Sequence, residues 1–185
     1  MTTYISMLRA INVGGQKKIA MDALRSVYTG LGLGGVQTYV QSGNVVFDSA
    51  EPEAAVLAGR IEAHIEQSFG FSVLVFVRSA PYFQRIIAAN PFAKAGANPG
   101  STIQGDPAKL HVTFLYHPAD LASLSLPTAG DDQFSPGEGA VYLFCPNGYG
   151  KTRLSNDFFE RKLSVPATTR NWNTVNALYQ LAVRQ

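Results

Sequence analysis

The sequence predicts an α+β fold of two linked ferredoxin-like βαββαβ halves with an extra C-terminal helix. Short apolar runs of strand length alternate with longer stretches of helical periodicity. The order strand, helix, strand, strand, helix, strand can be read over residues 3–78. A similar order recurs late in the chain with no visible sequence repeat. The halves are placed at 1–78 and 110–185, joined by a linking helix and loop at 79–109.

Residues 4–8 are apolar at nearly every position, as suits a strand covered on both faces. Met21, Leu24, Val27, Tyr28 and Leu31 follow at helical spacing, with Asp22 in the first turn and Gly30 and Gly32 at the end. Residues 36–41 and 45–47 read as two strands, joined through Gly43-Asn44 as a tight type II′ hairpin. Leu57, Ile61, Ile65 and Phe69 mark a second amphipathic helix, ended by Gly70. Residues 73–77 form a buried strand and 79–89 a helix, stopped by Asn90-Pro91.

Residues 93–107 are rich in Gly, Ala, Pro and Asn and read as a loop. The second half then offers a strand at 110–116, a short helix at 118–125, a weak strand at 131–135 and a strong strand at 140–144. A helix at 154–163, an edge strand at 165–168 limited by Pro166, and a final helix complete it. Thr169 and Asn171 are the candidate N-caps of that last helix.

The chain of 185 residues is 46% hydrophobic, which supports a packed core and argues against disorder. A net charge of +2 is too small to imply nucleic acid by itself. A lone cysteine, Cys145, excludes an internal disulfide framework and fits a reducing compartment. No signal-peptide pattern opens the chain, and no apolar run is long enough to span a bilayer. The expectation is a soluble cytoplasmic protein with no membrane partner.

Three stretches carry chemistry. The first is Arg9-Ala10-Ile11-Asn12-Val13-Gly14-Gly15, between a strand and a helix. Its paired glycines let backbone amides approach an anion closely, with Lys17 and Lys18 beside them. The plainer reading is a flexible connection with solvated lysines. The second is Gln41-Ser42-Gly43-Asn44, in the hairpin. The third joins Gly148-Tyr149-Gly150-Lys151-Thr152-Arg153-Leu154 to Thr168-Thr169-Arg170-Asn171-Trp172-Asn173-Thr174. This last segment holds more polar groups than a helix cap needs, beside a cation and the only tryptophan. The plainer reading is a capped helix with a core tryptophan.

Residues 8–15, 39–47, and 148–154 followed by 168–175 together resemble the bacterial family known as domain of unknown function 1697, along nearly the whole chain. The family more often has glycine where this chain has Ala10. The resemblance implies two linked ferredoxin-like halves and no assigned activity.

Gly150-Lys151-Thr152 invites comparison with a phosphate-cradling P-loop, but that pattern needs glycine at Cys145, and Pro146 has no amide hydrogen to donate. A looser anion contact through Lys151 and Arg153 remains open. Residues 151–170 hold five cations against two acids, so positive charge is concentrated late. Cys145 has no local base and reads as a small core hydrophobe. His64, His111 and His117 lack metal-ligand spacing, and neither a metal nor a cofactor is expected.

The leading expectation is a binding module for a nucleotide or single-stranded nucleic acid, held in a cleft between the halves. Arg9, Lys151, Arg153 and Arg170 would hold phosphate, with the Gly14 and Gly15 amides. Asn12, Gln41, Ser42, Asn44, Asn171 and Asn173 would supply directed hydrogen bonds, and Trp172 would stack on a base. The alternatives are a protein-interaction domain without a small ligand, and an enzyme on a phosphorylated or nucleotide substrate. The interaction reading expects Arg9, Asn44 and Asn171 to be buried and bonded to backbone.

Overall fold

The computed structural model describes residues 1–93, 106–122, 124 and 130–185. The chain folds as two compact units, one of Met1–Gln84 with Ala177–Gln185, the other Arg85–Asn176.

The first unit begins with β1 (Thr2–Leu8), α1 (Met21–Gly30), β2 (Gly34–Tyr39) and β3 (Asn44–Ser49). It continues with α2 (Ala54–Phe69) and β4 (Val75–Ser79), and α3 (Ala80–Ala89) follows. The strands form one antiparallel sheet in the order β2-β3-β1-β4. That order is the ferredoxin-like arrangement. Tyr4 and Leu8 of β1 join Val45, Phe47, Val75 and Val77 in a core with Leu24, Tyr28, Leu57, Ile61 and Ile65 of the helices. The alternating set Ile5, Met7, Val46 and Phe76 is also buried, which is why β1 reads as an unbroken apolar run. Ser6 lies fully buried, and its hydroxyl shares a 2.7 Å hydrogen bond with that of Tyr28. From the last residues of the chain, the Gln185 side chain donates to the carbonyl of Gly35 at 2.6 Å.

The second unit contains β5 (Leu110–Leu115), β6 (Gln133–Gly137), β7 (Ala140–Phe144), α4 (Asn156–Leu163) and β8 (Ala167–Asn171). Helix α5 (Trp172–Ala182) follows directly. The sheet order is β6-β7-β5-β8, again antiparallel, and repeats that of the first unit position for position. Leu115, Val141, Leu143, Leu154, Phe159 and Ala167 form its core. The fold is therefore α+β, with two four-stranded antiparallel sheets and, among the described residues, five α-helices. None of those helices is long and apolar enough to cross a membrane.

Three local expectations need correction. The hairpin is not a two-residue turn, because Tyr39 pairs with Asn44 across a four-residue loop. Gly43 has φ +73°, and Val40 takes up the other left-handed position at φ +50°. Residues 118–122 and 124 do not form a helix, and the rest of the helix expected at 118–125 lies outside the described residues. The last edge strand starts after Pro166 and runs through Asn171, so α5 begins at Trp172. The loop expected at 93–107 lies largely outside the described residues.

Candidate functional site

In the first unit, two of the three stretches meet. Asn12 donates through Nδ2 to the carbonyls of Ile19, 3.0 Å away, and of Gln41, 2.8 Å away. Its Oδ1 accepts from the Ile19 amide at 2.9 Å. The side chain is thus committed to fixing the loop between β1 and α1 and tying it to the loop between β2 and β3. Gly43 seals the junction: its carbonyl accepts from the Leu8 amide at 2.8 Å. A Cβ on Gly43 would stand 2.6 Å from Ile11 Cδ1 and 2.8 Å from Leu8 Cβ. Asn44 is fully buried and donates to the carbonyl of Tyr39 and to the Ser42 hydroxyl.

The laced loops enclose a depression of about 330 Å³ lined by Asn12, Gly15, Lys18, Ile19, Ala20 and Gln41. Gly14 and Gly15 have φ +60° and +78°, and nothing lies within 4 Å of where their side chains would begin. Ala20 is the N-cap of α1 and has no side chain to satisfy the first-turn amides. Backbone strain is concentrated here. Ala10, Asn12 and Lys17 all have positive φ.

Arg9 lies on the other side of this loop. It lines a separate open groove of about 410 Å³ with Lys17, Glu62, Glu66 and Ser72. Lys17 Nζ donates to the Ser72 carbonyl at 2.8 Å, and Glu62 accepts from the Val75 amide at 2.8 Å. The groove is of mixed charge, and its carboxylates were not legible as neighbours of Arg9, because they come from α2.

In the second unit, the polar groups of 168–174 turn inward or cap. Arg170 is 9% exposed, and its Nη1 donates to the Thr168 hydroxyl and the Thr169 carbonyl at 2.8 and 3.0 Å. Burial pulls its guanidinium down to about 10, with the neighbouring Tyr149 opposing the shift, so it is still a cation at neutral pH. The Thr169 hydroxyl bridges Thr113 and Asn156 at 2.8 and 2.7 Å. Asn171 caps α5, accepting from the Thr174 amide at 2.8 Å, which decides between the two N-cap candidates. Trp172 is 8% exposed and Asn173 is on the surface. Lys151 and Arg153 are exposed.

Gly148–Leu154 folds as a 3-10 turn, Tyr149–Lys151, over the edge of this core. The Tyr149 ring stacks on His111, with centroids 4.8 Å apart and planes at 26°. Thr152 donates to Asp132 at 2.6 Å and accepts from the Leu154 amide. Burial pushes the Cys145 thiol up to about 11, and a hydrogen bond with Thr152 only partly opposes this. A thiol so placed is a poor nucleophile. Among the described residues, no group of three His, Cys, Asp or Glu side chains could hold a metal ion.

A family model described as a protein of unknown function, DUF1697, matches residues 1–142. The chain belongs to the DUF1697 family. The matched stretch includes both laced loops, whereas the third motif lies beyond it. A solved structure of a conserved bacterial protein from Streptococcus pneumoniae is similar over 98% of each chain, with 26% identity and a TM-score of 0.72. No curated protein matches this DUF1697 chain.

Proposed function

We propose that this protein is a binding module for a phosphate-bearing ligand, taken up by the laced loops of the first unit. The observation that carries the reading is the depression where residues of both motifs meet. It combines the Lys18 cation with the open backbone at Gly15 and the side chain of Gln41. Exposed amides at glycine positions of positive φ form concavities that suit anions, and a lysine adds a point charge. The uncapped start of α1 adds the positive end of a helix dipole at the same place. Asn12 acts in this reading as the brace that holds the site open. Nucleotides and single-stranded nucleic acid are the ligand classes to test first.

The test is a titration of ¹⁵N-labelled protein with inorganic phosphate, mononucleotides, sugar phosphates and short single-stranded oligonucleotides. Saturable shifts at the Gly14, Gly15 and Lys18 amides, weakened by salt and lost in Lys18→Gln, support the reading. Unmoved amides at millimolar ligand and low salt overturn it.

A second reading is favoured by a different observation. Asn44 is buried, and Asn44 and Asn171 both bond to backbone within their own unit, whereas Asn171 is exposed and Arg9 only partly buried. That is in part the pattern of a protein-interaction domain whose motifs serve the fold. An enzyme has less support: the Cys145 thiol is held protonated, and Glu66, in the groove with Arg9, is exposed.

A further inference from the structure

The third motif is unused by that reading, and the second unit carries a feature of its own. His111 is 7% exposed, and its Nδ1 is buried without a hydrogen-bond partner among the described residues. One face of the ring is covered by Tyr149. Tyr149 is anchored further by hydrogen bonds with the Thr169 side chain and the Asn156 backbone. The turn around it presents Lys151 and Arg153 at the surface.

The groups around His111 are largely unable to stabilise a positive charge. Across the sheet it pairs with Leu143 of β7 and Asn171 of β8, both uncharged. Cys145, just past β7, is held protonated, and a hydrogen bond with the Lys109 backbone favours the charged ring but opposes the effect of burial only in part. The second 3-10 turn contributes Tyr149 and Lys151. Of the two carboxylates nearby, Asp132 is taken by Thr152, and Asp157 is exposed on α4. Arg170, close enough to act on Tyr149, adds another cation. A charged imidazole can be attracted to a tyrosine face, but here that attraction and the Lys109 bond would together have to replace the hydration that the buried ring gives up.

We propose that the His111–Tyr149 stack is an acid-released latch: protonation of His111 expels the ring toward water and frees the turn at 148–153 that carries Lys151 and Arg153. Burial holds the imidazole below its ordinary range, so the latch is closed at neutral pH and opens on acidification. The switch alters the presentation of two cations without unfolding the sheet beneath.

Hydrogen exchange of the whole protein at pH 7.5 and pH 5.5, corrected for intrinsic rates, tests this. Protection at 148–153 should fall by up to roughly tenfold for each pH unit between the ordinary histidine range and the lower His111 midpoint, and level off below it, while β5 and β7 keep theirs. His111→Phe, which stacks but does not titrate, should abolish the response. Equal loss of protection in turn and strands, no loss anywhere, or an unchanged response in His111→Phe would each overturn the latch. Should that variant fail to fold, an NMR titration of the wild type decides. The latch requires the His111 ring to titrate below the ordinary histidine range, with Tyr149 ring signals moving at the same midpoint. A normal midpoint or still Tyr149 signals overturn it.

Discussion

The Asn12 amide reaches across to the Gln41 carbonyl, 2.8 Å away and 29 positions along the chain. This bond joins two loops that local sequence describes separately. The same side chain also makes both halves of a reciprocal pair with the Ile19 backbone. Asn12→Ala removes all three bonds and leaves an alanine at φ +56°, where asparagine is tolerated better. The variant should lose about 1–3 kcal/mol in urea denaturation. A loss below about 0.5 kcal/mol, the range of ordinary surface substitutions, would show that the brace contributes little.

Gly43→Ala should be more severe. The added methyl meets the Leu8 Cβ, which belongs to the central strand and cannot rotate away, and φ is +73°. Overpacking and left-handed strain together predict a loss of about 2–4 kcal/mol. Thermal melting would show it as a drop of several degrees, and an unchanged midpoint would mean the loop shifts freely.

Ala10 is the opposite case. It sits at φ +56°, a conformation glycine adopts without penalty. Ala10→Gly should stabilise the protein by up to about 1 kcal/mol, since relief of backbone strain exceeds the extra freedom of the unfolded chain. A destabilised variant would show that the strain is not relieved.

Cys145 should be silent to thiol reagents in the native state and react on unfolding, because it is fully buried. Its folded value, about 11, lies above the ordinary thiol value of 9.0. The raised value stabilises the fold fully below pH 9 and is lost as pH climbs through about 11. Cys145→Ala should flatten that part of the alkaline stability curve, measured by urea midpoints. A persisting slope would assign it to the buried tyrosines instead.

The topology was legible because period and punctuation are local. Apolar strands such as 140–144, the four-residue spacing of Leu57, Ile61 and Ile65, and the stop at Gly70 each act within a few residues. What pairs at a distance was not legible. Nothing in the sequence around His111 announces Tyr149, and nothing around Asn12 announces Gln41. The surplus of polar groups at 168–174 resolves residue by residue: Thr168 receives Arg170, Thr169 bridges two neighbours, and Asn171 caps. The hairpin was misread because Gly43 is a glycine for a packing reason, the approach of Ile11 and Leu8, and not for a two-residue turn.

Gln185 holding the Gly35 carbonyl has a consequence for how the molecule is born. The first unit takes in Ala177–Gln185 as well as Met1–Gln84. During translation its opening strands leave the ribosome early, yet its last pieces arrive only after every residue of the second unit has been made. The nascent chain therefore completes its second unit first and its first unit last, so a ribosome stalled before Ala177 holds the amino-terminal unit unfinished.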